Sequence, residues 1–102
     1  MFISVSPNGR LALHEPDDFK RLHVEAEDGA MPRDAITAAL APIAEADGDN
    51  FWVDVAGLKS LGRRDPAWEA SFDAMIASVQ KFGWLSPDGG RVRCHLKTAG
   101  KA

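Results

Sequence analysis

Hydrophobic and polar positions alternate at the start of the chain. Ile3 and Val5 share one side of a strand over 2–5, and Leu11 and Leu13 alternate with Ala12 and His14 in a second. Ser6-Pro7-Asn8-Gly9 lies between them, with a proline that presets φ and an Asn-Gly pair that tolerates positive φ, so the segment predicts a β-hairpin. Pro16 followed by Asp17 and Asp18 has the form of a first helical turn, and a short helix carrying Phe19 and Leu22 is expected there. Leu22–Ala26 reads equally well as a short strand, and the pattern leaves both open. From Pro32 the period changes: Ile36, Ala39, Leu40 and Ile43 fall at helical spacing until Pro42 ends the helix near Ala41. The turn cluster Asp47-Gly48-Asp49-Asn50 then leads into the strand Phe51–Val55, where Phe51, Val53 and Val55 face one way and Trp52 and Asp54 the other.

The longest periodic stretch follows Asp65-Pro66, an N-cap with proline at the first helical position. Trp68, Phe72, Met75, Ile76, Val79 and Phe82 form one apolar stripe, and Gly83 stands where a C-terminal cap belongs. After the turn Pro87-Asp88-Gly89-Gly90, Arg91–Lys97 is a strand in which Val92, Cys94 and Leu96 alternate with Arg91, Arg93, His95 and Lys97. These elements predict an α+β fold. The expected form is a two-layer sandwich with a mixed sheet of about four strands and two main helices on one face. One domain over 1–97 and a flexible tail over 98–102 are expected, with a βαβ crossover between Phe51 and Lys97.

Composition narrows the function. With 102 residues the chain is shorter than a P-loop NTPase, a full dinucleotide-binding fold or a TIM barrel. Apolar residues make up 45% and charged residues 26%, as in ordinary folded proteins, and no apolar run reaches membrane-spanning length. The first residues lack the basic and apolar regions of a secretory signal. Cys94 is the single cysteine, which excludes an internal disulfide and fits a reducing, cytoplasmic setting. The net charge of −3 argues against a nucleic-acid binder. It divides unevenly: residues 1–50 hold four basic and ten acidic side chains, whereas 51–102 hold eight and five.

Three constellations bear on chemistry. Gly57 and Gly62 have the spacing of a Walker A loop, but Arg63-Arg64 replaces the Lys-Ser/Thr pair that such a loop needs. What remains is a cationic cluster of Lys59, Arg63 and Arg64 near a helix start, joined by Arg91 and Arg93 of the last strand as candidate anion ligands. Trp52, Asp54 and His95 are the candidate interface or pocket residues on the uncovered sheet face, with Asp54 expected to pair with Arg93 or His95. His14, His23 and His95 lack any metal-ligand spacing and no serine has a nucleophile-elbow context, so no metal, cofactor or catalytic centre is expected. The sequence points to a non-catalytic accessory domain that self-associates, as a homodimer, through its open sheet face. The competing expectation is a small enzyme or sensor that binds an acidic metabolite or phosphate through the Arg/Lys cluster.

Overall fold

A computed structural model describes residues 1–63 and 65–97. Arg64 and the expected tail over 98–102 lie outside the described residues. The elements run β1 (Phe2–Val5), β2 (Leu11–His14), β3 (His23–Ala26), α1 (Arg33–Leu40), β4 (Ala44–Asp47), β5 (Asn50–Asp54), α2 (Val55–Ser60), α3 (Pro66–Val79) and β6 (Arg91–Lys97). The fold is α+β with a mixed sheet, and the sheet has six strands in the order β2-β1-β3-β6-β5-β4 rather than about four.

The two additional strands are β3 and β4. β3 resolves the ambiguity at Leu22–Ala26 and pairs in parallel with both β1 and β6, and the helix expected from Pro16 is replaced by turns. β4 carries Ala44-Glu45-Ala46-Asp47, where only two alanines alternate with acidic residues and no large apolar side chain marks a strand, and it forms a hairpin with β5. The helix count also changes from two to three, because Val55–Ser60 is helical. Gly57 and Gly62 therefore belong to a helix and its exit turn, not to a phosphate loop.

The crossover after β5 takes a form that the sequence did not suggest. β5 and β6 are antiparallel, so they are not the two strands of a βαβ unit. Trp84–Ser86 instead runs antiparallel to β6 through a Leu85–Val92 bridge, with Arg93 N–H donating to the Trp84 carbonyl at 2.7 Å and Ser86 N–H to the Arg91 carbonyl at 2.8 Å. That short segment is thus parallel to β5 and ends the crossover, and β6 is its hairpin return.

Local chemistry sets the helix ends. The Asp65 carboxylate accepts from the Trp68 backbone N–H at 2.8 Å with Pro66 at the first turn, the cap its sequence implies. α3 stops at Val79, and a 3₁₀ turn over Gln80–Phe82 leads to Gly83, whose φ of 75° suits a residue without Cβ. This turn takes Phe82 off the expected apolar stripe and leaves it 61% exposed. The core joins Ile3, Val24, Phe51, Val53 and Cys94 of the sheet to Leu40, Leu58, Trp68, Phe72 and Ile76 of the helices.

Candidate functional site

Strand period two sends Val92 and Cys94 into the core and Arg91, Arg93, His95 and Lys97 to the opposite side. The neighbouring strands place their own alternate residues beside them. His95 lies opposite Asn50 of β5 and His23 of β3, Arg93 opposite Trp52, and Arg91 opposite Asp54. A row of stacked rings crosses four strands: His95 on His23 with centroids 5.6 Å apart, His23 on Phe2 at 5.0 Å, and Phe2 on His14 at 5.0 Å. Aromatic pairs of this kind add about 0.5–1.5 kcal/mol each beyond their buried area.

Below this row β6 changes partners. Its C-terminal half, His95–Lys97, pairs with β3, and its N-terminal half pairs with Trp84–Ser86. A cavity of about 540 Å³ opens at this junction. Its polar lining consists of Lys20, Arg21, His23, Arg93, His95 and Lys97, together with Asn50. Phe19, Leu22, Met75, Val79, Trp84 and Val92 supply the apolar lining. No Asp or Glu is among these residues. Glu25 stands next to the cavity, with Oε1 3.3 Å from His23 Nε2 and 3.8 Å from Lys97 Nζ. The Phe19–Leu22 rim is tied down by the Met1 amino group, which donates to the carbonyls of Asp18 at 2.9 Å and Arg21 at 2.8 Å.

Burial lowers the pKa of His23 from its usual 6.5, and the hydrogen bond its ring N–H donates to the Glu25 carboxylate opposes that shift. His23 is therefore mainly neutral at pH 7 in the free protein. Cys94, on the core side of β6, has its thiol pushed up to about 12 by burial, so it carries no nucleophilic thiolate at neutral pH.

The five cations singled out in the sequence do not form one cluster. Lys59 pairs with Asp73 at 3.0 Å, and Arg63 with Asp17 at 3.1 Å and Asp65 at 3.5 Å. Both are therefore occupied by local carboxylates, and Arg64 is outside the described residues. Arg91 pairs with Asp54 at 3.1 Å and Glu45 at 3.8 Å. Asp54 thus meets Arg91 rather than Arg93 or His95, because the antiparallel register sets residue 54 opposite 91. Of the four that are described, only Arg93 lines the cavity, where His95 joins it. Trp52 is half-buried with its indole N–H donating to Asp47 at 2.9 Å, and neither it nor Asp54 lines the cavity.

Sequence reasoning missed Lys20, Arg21, His23 and Trp84. The dibasic Lys20-Arg21 ahead of a strand is visible in the chain, but only the parallel pairing of β3 with β6 brings it to Arg93. Among the described residues, no three of His, Cys, Asp and Glu come together where they could hold a metal ion, and no helix is long and apolar enough to cross a membrane. No protein-family model, no curated protein and no solved structure matches this chain.

Proposed function

We propose that this chain is a non-catalytic binding module that holds a small acidic ligand in the cavity beside β6. The observation that carries this reading is the lining itself: Lys20, Arg21, Arg93, Lys97, His23 and His95, with no carboxylate among them. Glu25 beside the cavity partners His23 and Lys97, and the cations in excess of that one carboxylate raise the local potential and favour an anion. Arg93 is the central clamp, since its planar guanidinium can grip a carboxylate or phosphate with two parallel hydrogen bonds. The helices and the core side of the sheet are read as two layers, which leaves the face bearing Arg93 and His95 open to a ligand. A single buried cysteine fits a reducing, cytoplasmic setting for such a module.

Titration with inorganic phosphate at low ionic strength, followed by NMR, tests the reading. Saturable shifts are expected at His23, His95 and Arg93. Arg93→Ala should weaken binding by roughly ten-fold, the scale of one charge-assisted hydrogen bond. Arg63→Ala should leave it unchanged, because Arg63 is held by Asp17 and Asp65. Absence of saturable shifts would remove the proposal.

Self-association through the sheet face is the second reading. It is favoured by the division of charge on that face, with Glu45, Asp47 and Asp54 toward β4 and Arg93 and Lys97 on β6, which a two-fold pairing can match. Trp52 would anchor such an interface. Light scattering at micromolar concentration decides: a dimer weakened by Trp52→Ala supports the reading, and a monomer removes it.

A further inference from the structure

We infer that the ligand of this cavity is an organic anion with a flat aromatic body, an inference that rests on the anion reading above. The lining has two parts that no inorganic ion can satisfy together. Cations and imidazoles form one part, and Phe19, Leu22, Met75, Val79, Trp84 and Val92 form the other. A bare phosphate would leave that apolar part facing water. The volume of about 540 Å³ falls within the range of pockets that enclose small organic molecules, about 300–1,000 Å³.

Three observations point to a flat ring rather than an alkyl chain. Trp84 is 46% exposed although large aromatic side chains are normally covered. Its backbone is held at both polar groups: its carbonyl accepts from Arg93 N–H at 2.7 Å, and its main-chain N–H donates to the Val79 carbonyl at 3.4 Å. Phe82 packs on it with centroids 5.4 Å apart, so the indole is supported from one side. Since Trp84 stands alongside Arg93, a ring stacked on the indole would bring an attached anionic group within reach of the guanidinium.

The inference is tested by calorimetric titration with phenyl phosphate, cyclohexyl phosphate and inorganic phosphate. Phenyl phosphate should bind about three- to ten-fold tighter than either of the others, the scale of one aromatic stacking contact. Trp84→Ala should abolish the advantage of phenyl phosphate over inorganic phosphate, and Trp84→Phe should keep most of it. Arg93→Ala should weaken all three. Equal affinity for phenyl and inorganic phosphate overturns the aromatic ligand and leaves the anion reading standing. Equal affinity for phenyl and cyclohexyl phosphate overturns the flat ring. Binding of none of the three removes both readings.

Discussion

Cys94 is the residue whose environment is most sharply defined by strand period. It has no solvent exposure, and burial raises its thiol pKa to about 12. Reaction with a thiol reagent requires both access and a thiolate, and the native state supplies neither. Labelling at neutral pH should therefore be slow and should accelerate strongly in denaturant. Fast native labelling would mean that β6 presents its other face to the core, and Arg93 and His95 would then leave the proposed site. Phe72 shows the same legibility, since the α3 stripe placed it inward and it is fully buried. Arg93 shows the limit. Nothing in the local pattern separates it from Arg91, yet Arg91 is paired with Asp54 while Arg93 stands between Trp52 and Trp84.

At the scale of elements, the connection between α2 and α3 is set by a close approach. A Cβ on Gly62 would lie 2.3 Å from Cη2 of Trp68. The indole has little room to yield, because it is 4% exposed, donates to the Pro16 carbonyl at 2.8 Å and stacks on Phe72 at 5.1 Å. Gly62→Ala is expected to destabilise the protein by about 1–3 kcal/mol, as overpacking does in other cores, read as a lower denaturant midpoint. Unchanged stability would show that the turn after Ser60 relaxes freely. Earlier in the chain, β4 and α2 were invisible for different reasons. β4 is a mostly exposed edge strand that needs no apolar alternation. α2 spans six residues, too short for an apolar period to register, and depends on Leu58 packing into the core.

Across the whole molecule, His23 links the site to stability. Its pKa is lowered from 6.5 by burial, so in the interval below 6.5 the unfolded chain binds more protons than the folded one. Stability is therefore expected to fall as pH drops through that interval, and to level off once the folded-state histidine is also charged. Chemical denaturation at a series of pH values from about 7.5 to about 5.5 should show this slope. His23→Phe, which keeps a ring against Phe2, should flatten it. Burial shifts the Met1 amino group in the same direction from 8.0, and comparing the two proteins isolates the histidine. An identical slope in the variant would assign the effect elsewhere.

The chain by itself determined the local features: the β1–β2 hairpin, the capped start of α3, the end of α1 before Pro42 and the two-sidedness of β6. Each depends on residues within a few positions of one another, where φ preferences, capping and side-chain period act directly. The site was a different matter. His23 meets His95 across 72 positions only because the last strand of the chain enters the middle of the sheet between β3 and β5. That placement follows from burying the core side of β6 against elements far apart in sequence, a long-range packing that no local pattern encodes. The alternation along β6 thus specified which side chains leave the core, and tertiary pairing alone decided which neighbours they meet.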